Sequence, residues 1–147
     1  MNKFESQLLA LTESTDRLTT SATECSFSGE GWPPATTLGH IFDVDTQVWM
    51  ARFELMVNAL RTGQAPPALV SWEPNGENTA AAYADYSLDD SLALLQKSRD
   101  SMVVFLKSLT ETERNATAIH KTFGTITIES MLQVILDHDE EHRATFN

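Results

Sequence analysis

The sequence predicts an all-α fold, a four-helix bundle, from three observations. Four segments repeat apolar residues three and four positions apart, which is the period of a helix with one buried face. No segment shows a convincing strand pattern. The connection between the second and third helices, residues 63–86, is 24 residues long. A connection of this length is unusual in a compact domain and can carry the chain back along the bundle.

The first two helices are delimited by glycine and proline. The first is predicted over residues 4–25, where apolar and small residues alternate four and three apart, and it ends before a segment containing two glycines. The second follows Trp32-Pro33-Pro34, because proline suits a helix start. Its pattern continues until Gly63, and Pro66-Pro67 prevents its extension.

The third and fourth helices are predicted from their starts. Ser87 is followed three positions later by Asp90, the pattern of a capping box, so the third helix begins there. The fourth follows Gly124 and continues to the C-terminus, with Met131, Leu132 and Ile135 among its apolar residues. His120 lies before this helix in a connecting segment, and we interpret it as a loop residue rather than a metal ligand.

Composition limits the class of protein. With 147 residues, of which 41% are hydrophobic, residues 1–147 are expected to form one domain. The single cysteine, Cys25, excludes an intrachain disulfide. No signal-peptide pattern or membrane-length apolar run is present, so we expect a cytoplasmic protein without membrane association. The net charge of −11 and the scattered basic residues disfavour nucleic-acid binding.

Three histidines form the candidate functional site. His138 and His142 are four residues apart and share one face of the fourth helix, so both rings can reach one ion. His40 lies near the start of the second helix. If all three meet, the second and fourth helices must be antiparallel, and the long crossover permits this by giving the bundle an up-down-down-up topology. Three nitrogen ligands leave coordination positions open, as in catalytic metal sites.

The chain resembles DinB-like proteins of the DinB/YfiT superfamily along nearly its whole length. The resemblance rests on Gly31-Trp32 through Leu38-Gly39-His40-Ile41-Phe42-Asp43, on Phe123-Gly124-Thr125-Ile126-Thr127-Ile128-Glu129, and on His138-Asp139-Glu140-Glu141-His142-Arg143. It implies a four-helix bundle in which His40, His138 and His142 bind one divalent metal ion. Relatives in this family include thiol-dependent S-transferases and a mycothiol-dependent isomerase.

Each histidine also has a structural interpretation. His138 and His142 would suit a helix C-terminus, where the helix dipole favours a partly positive imidazole. His40 points away from the centre of the apolar stripe of its helix at 100° per residue, as a surface residue would. The resemblance alone identifies His40 as a ligand.

Several charged residues are predicted to be buried or close to the site. Asp45, Arg52 and Arg99 fall on apolar helix faces, so a buried ionic network is the structural interpretation, which we favour for Arg52. Asp43 or Asp45 could instead accept the second ring N–H of a ligand histidine and fix its tautomer. Asp139 neighbours both ligand positions and could orient a bound water.

Two classes of function remain. In the first, a divalent ion, zinc or nickel before manganese, activates water or a low-molecular-weight thiol for hydrolysis or S-transfer to a small molecule. The crossover, with Trp72, Tyr83 and Tyr86, would then form the wall of a substrate pocket. In the second, the bundle is a non-catalytic metal-binding or interaction protein. A homodimer is compatible with both.

Overall fold

Four long helices form the bundle, and the computed structural model describes residues 1–146 of the protein. Asn147, the last residue of the predicted domain, lies outside the described residues. The helices in chain order are α1 (Lys3–Glu24), α2 (Pro34–Val44), α3 (Met50–Arg61), α4 (Gly76–Tyr83), α5 (Leu88–Ser108) and α6 (Ile128–Arg143). A π-helical turn, Asp45–Trp49, joins α2 and α3 into one continuous helix. The four predicted helices are therefore confirmed.

Polar side chains define where three of the helices begin. Ser87 accepts a hydrogen bond from the backbone N–H of Asp90, which confirms the predicted capping box at α5. Asn2 caps α1 in the same way. Thr127 caps α6 through Ser130, so this helix begins a few residues beyond Gly124. These side chains satisfy backbone donors that have no partner within the helix.

Contacts between α1 and α6 show that these helices are parallel. The amide of Gln7 donates to the carbonyl of Glu129 over 3.0 Å. Further along both helices, the hydroxyl of Ser14 donates to the carboxylate of Asp139 over 2.7 Å. The contacts advance in the same direction along the two helices.

The core places α1 antiparallel to α5 and to the continuous α2–α3 helix. One cluster joins the beginning of α1 to α3, the second half of the continuous helix, and to the end of α5, and it includes Leu8, Leu11, Phe53, Met102 and Leu106. The second cluster joins the end of α1 to the beginnings of α2 and α5, and it includes Leu18, Ala22, Leu38, Ile41 and Leu95. The order is up-down-down-up, as predicted, and α6 is antiparallel to α2–α3.

A small sheet corrects the prediction that the chain has no strand. It contains β1 (Ala68–Leu69), β2 (Thr117–His120) and β3 (Gly124–Thr127). The first two strands are parallel and the last two antiparallel, with Leu69 opposite His120. His120 is buried at the end of β2, so its interpretation as a loop residue was wrong. Strand β1 pairs with a distant segment, which periodicity within one segment does not show, while β2 and β3 are four-residue strands joined by a short turn.

The long helices are amphipathic rather than uniformly apolar. In α5, Leu95 and Met102 are buried, whereas Gln96 and Lys97 are exposed. Among residues 1–146, no helix is both long enough and apolar enough to cross a membrane.

Candidate metal centre

The fold brings His40, His138 and His142 together at one end of the bundle. The ring centroids of His138 and His142 are 4.4 Å apart, and the ring of His40 lies 5.7 Å and 4.9 Å from them. One nitrogen from each ring lies within 4.8 Å of the others. In the described part of the chain, no other three histidine, cysteine or acidic side chains form such a group.

Helix geometry explains this convergence. His138 and His142 are one turn apart on α6, so their rings lie on the same face. His40 lies in the first half of the continuous α2–α3 helix, and the antiparallel arrangement of the helices places it beside the end of α6. Helix α4 of the crossover packs against α2 next to the site.

Gly39 allows α4 to pack closely beside His40. A Cβ atom placed on Gly39 would lie 2.6 Å from ring carbons of Tyr83, which is far inside contact distance. The hydroxyl of Tyr83 donates a 2.6 Å hydrogen bond to Asp43, one turn along α2. This contact attaches the crossover to the helix that carries His40. Tyr86 packs against Tyr83, with the ring centroids 4.8 Å apart.

Burial favours the neutral form of all three rings. Desolvation, followed by the proximity of His142, lowers the pKa of His40 to about 4. Desolvation and the neighbouring His138 lower the pKa of His142 to about 4. The pKa of His138 is also lowered, chiefly by desolvation. At neutral pH each imidazole therefore has a nitrogen lone pair available, as a metal ligand requires.

The donor set fits a divalent ion. The Nε2 atoms of His138 and His142 are 3.0 Å apart. Two nitrogens bound to one ion at about 2.0–2.2 Å are themselves roughly 3–3.5 Å apart, so these atoms already have nearly the spacing of two ligands. Uncharged imidazoles suit zinc and nickel better than the hard ions calcium and magnesium.

A buried ionic network lies beneath the histidines, as predicted for Asp45 and Arg99. Nε of Arg99 donates to Asp45 over 2.8 Å, and its two terminal nitrogens donate to Asp139 over 2.7 Å each. Ser98 and Ser14 also donate to these carboxylates. Although burial opposes its charged form, the two carboxylates raise the pKa of Arg99. Arg99 of α5 thus joins the π-helical turn to α6.

The three candidate aspartates have other partners in this structure. Asp43 accepts from Tyr83, while Asp45 and Asp139 accept from Arg99. Within residues 1–146, no hydrogen bond joins these carboxylates to a histidine ring, so the tautomer-fixing contact is not made here. The proposed roles of Asp43, Asp45 and Asp139 at a bound ion or water stay predictions.

A cavity of about 400 Å³, called the triad cavity below, opens onto His40 and His138. Trp72 from the crossover lines it, as predicted, while Tyr83 packs against Gly39 instead. The remaining walls are mostly apolar or aromatic: Val44, Val48, Trp49, Pro74, Phe123 and Val134. A second cavity of about 380 Å³, lined in part by Trp32 and Phe27, opens onto His142.

Among the polar residues of the triad cavity, neither Arg52 nor His120 was identified from the sequence as part of a site. Arg52 donates to the backbone carbonyl of Val70 over 2.8 Å, which is a structural contact, and it also lines the cavity. His120 lines the same cavity from β2. The alternation of residues 117–120 and 124–127 around a short turn was the signal that could have placed His120 on a strand.

Comparisons with solved structures agree on the fold. YfiT from Bacillus subtilis, described as a probable metal-dependent hydrolase with an unusual four-helix bundle topology, aligns with a TM-score of 0.75 at 21% identity. The alignment covers 98% of this chain and 85% of YfiT. A mycothiol-dependent maleylpyruvate isomerase aligns with a TM-score of 0.69 at 14% identity, covering 99% of this chain and 61% of the isomerase. At these identities the likeness establishes the fold alone.

Sequence comparison establishes the family. No curated protein matches the chain. The family model of the DinB superfamily matches residues 3–146, which is nearly the whole sequence. The chain therefore belongs to the DinB superfamily.

Proposed function

We propose that this protein is a metal-dependent enzyme that acts on a small molecule, with His40, His138 and His142 as the ligands of one divalent ion. The observation that carries the proposal is the triad cavity, which gives a small molecule access to two of the three histidines. Its volume of about 400 Å³ lies in the range of small-molecule sites. A non-catalytic metal site would not require such a cavity.

The protein's own residues would prepare the site in three ways. Burial keeps the imidazoles neutral and ready to bind. Trp49 and Trp72 give the cavity apolar walls beside His40 and His138. Arg99 links the helix of His40 to the helix of the other two ligands, so it acts as a positioning residue. We propose zinc or nickel as the ion, ahead of manganese.

The proposed reaction is attack of a low-molecular-weight thiol on a small electrophile, with hydrolysis as the second candidate. An ion held by the three uncharged imidazoles would keep its positive charge and would supply the acidity needed to deprotonate a thiol or water at neutral pH. The thiol dependence of the maleylpyruvate isomerase supports the first candidate. The description of YfiT supports the second.

The experiment compares parent protein, His138→Ala and Gln133→Ala after removal and replacement of metal. Gln133 is an exposed residue on the same helix and is the matched control. Each protein is loaded with zinc, nickel or manganese and tested with thiol–electrophile pairs and with esters. We expect turnover in the parent and control and none in His138→Ala, with equal helical circular dichroism in all three. Equal rates in parent and His138→Ala would refute the proposal.

A further inference from the structure

We propose that the triad cavity binds a carboxylate group of its ligand between Arg52 and His120, so that the ligand class is a small carboxylic acid with an apolar body. This inference rests on the proposed function, in which the triad cavity is the substrate site, and it specifies the class of substrate. It requires two free hydrogen-bond donors on one side of the cavity and an unneutralised positive charge.

The turn between β2 and β3 fixes the tautomer of His120. Nδ1 of His120 accepts hydrogen bonds from the backbone N–H groups of Thr122, over 3.0 Å, and of Phe123, over 3.3 Å. A ring nitrogen that accepts carries no proton, so the neutral ring holds its proton on Nε2. His120 is therefore a donor through Nε2.

The Nε2–H group of His120 is available to a ligand. Across residues 1–146, Nε2 has no protein hydrogen-bond partner. It is nevertheless accessible to solvent, because the unpartnered polar side-chain atoms that are fully buried are other atoms. The residue as a whole is only 4% exposed, and it lines the triad cavity. The exposed part of this otherwise buried ring therefore includes its free donor.

Arg52 supplies the charge. It is the only lysine or arginine among the residues that line the triad cavity, and within the described chain it forms no ion pair. Glu73 lines the same cavity but does not pair with it. One terminal nitrogen is held by the carbonyl of Val70, and the guanidinium lies 5.8 Å from the ring centre of Trp49. Its other N–H groups are free for an anion.

Strand β1 and the residue that follows it contact both His120 and Arg52. His120 is paired with Leu69 in the sheet, and the guanidinium of Arg52 is held by the next residue, Val70. The two side chains are thus anchored at consecutive positions of one segment and line one cavity. A carboxylate has two acceptor oxygens and matches this pair of donors. The aromatic walls would contact the apolar remainder of the ligand.

Binding of phenylacetate and of its neutral analogue phenylacetamide to metal-free protein tests the inference. Trp49 and Trp72 line the cavity, so their fluorescence reports occupancy. We expect the parent to prefer the carboxylate to the amide by roughly tenfold or more. Arg52→Gln and His120→Phe should each weaken phenylacetate binding by roughly tenfold to a hundredfold. The control Lys97→Gln removes an exposed positive charge from α5 and should leave binding unchanged.

Two further measurements keep the test decisive. Nitrogen-15 NMR of parent protein should show a protonated Nε2 and an unprotonated Nδ1 on His120, a result that does not depend on any variant folding. Arg52→Lys, which keeps the charge, should retain part of the affinity. No carboxylate preference in the parent, unchanged binding in Arg52→Gln and His120→Phe, or a protonated Nδ1 would each overturn the inference.

Zinc titrations separate this inference from the proposed function. Arg52→Gln and His120→Phe should bind zinc as the parent does, because neither belongs to the triad. If the parent binds zinc but not phenylacetate, the carboxylate site alone is refuted. If it binds phenylacetate but not zinc, the metal proposal fails and the carboxylate site stands.

Discussion

Replacing Arg99 with methionine should destabilise the protein by about 3–5 kcal/mol, the cost of removing one partner from a buried ionic network. Arg99 is 2% exposed, while Asp45 and Asp139 are both 0% exposed. The substitution removes the 2.8 Å bond to Asp45 and the two 2.7 Å bonds to Asp139, so two buried carboxylates lose their cation. Methionine fills similar space, which makes the lost charge the main effect.

Urea denaturation followed by circular dichroism measures this loss. With a denaturant slope of about 2 kcal/mol per molar urea, the midpoint should fall by about 1.5–2.5 M. Burial already raises the pKa of Asp45 even with Arg99 present. Without Arg99, Asp45 in the folded protein would take up a proton more readily than it does in the unfolded chain as the pH falls. The loss of stability in Arg99→Met should therefore shrink from about pH 8 to about pH 5.

Matched variants identify the cause. Lys97→Met changes an exposed residue of the same helix and should alter stability by about 0.5 kcal/mol or less. Asp45→Asn combined with Arg99→Met removes one of the unpaired charges and should recover part of the loss. A loss below about 1 kcal/mol for Arg99→Met, or a deficit independent of pH, would refute this explanation of the network.

Two further predictions concern the triad and its support. Because burial lowers the pKa of His40 and of His142 to about 4, protons should compete with zinc for these rings only below about pH 5. Metal-free protein should lose stability as the pH falls from about 6.5, because the histidines of the unfolded chain take up protons there and the buried ones do not. Chelator competition and thermal melting measure both effects, and a steady loss of zinc affinity from about pH 7 to 6 would contradict the first. Gly39→Ala should lower stability by about 1–3 kcal/mol because its Cβ meets the Tyr83 ring, yet it should stabilise the helix when Tyr83→Ala has removed that ring. Thermal melting of the single and double variants measures this, and a Gly39→Ala protein more stable than the parent would contradict the prediction.

The helices could be predicted because their signals are local, whereas their order was predicted from the long crossover and from the expected convergence of the three histidines. The apolar period defines each helix, and Ser87 gives a start that the structure reproduces. The three strands were missed because each has only two or four residues, which is too short for a clear pattern, and because β1 pairs with a distant segment, β2. His120 was misplaced for the same reason.

Part of the candidate site could also be predicted, but the helical pattern did not predict the burial of His40. Its helical-wheel position indicated a surface residue, but the structure leaves it only 5% exposed. The wheel assumed 100° per residue through the whole second helix, whereas the π-helical turn Asp45–Trp49 changes the register between its halves. Trp32 also covers the ring, with the centroids 5.4 Å apart, from outside the helix. Neither effect is visible in the apolar pattern.

Zinc binding to metal-stripped parent and His142→Ala protein, measured by calorimetry at neutral pH, tests the central claim most directly. We expect about one equivalent of zinc to bind the parent. The affinity for zinc should fall at least roughly 100-fold in His142→Ala, since the loss of a residue that only hydrogen-bonds to a metal ligand commonly costs 10–100-fold. Helical content should be the same in both metal-free proteins. Equal zinc affinity in parent and variant would contradict the assignment of a three-histidine metal centre.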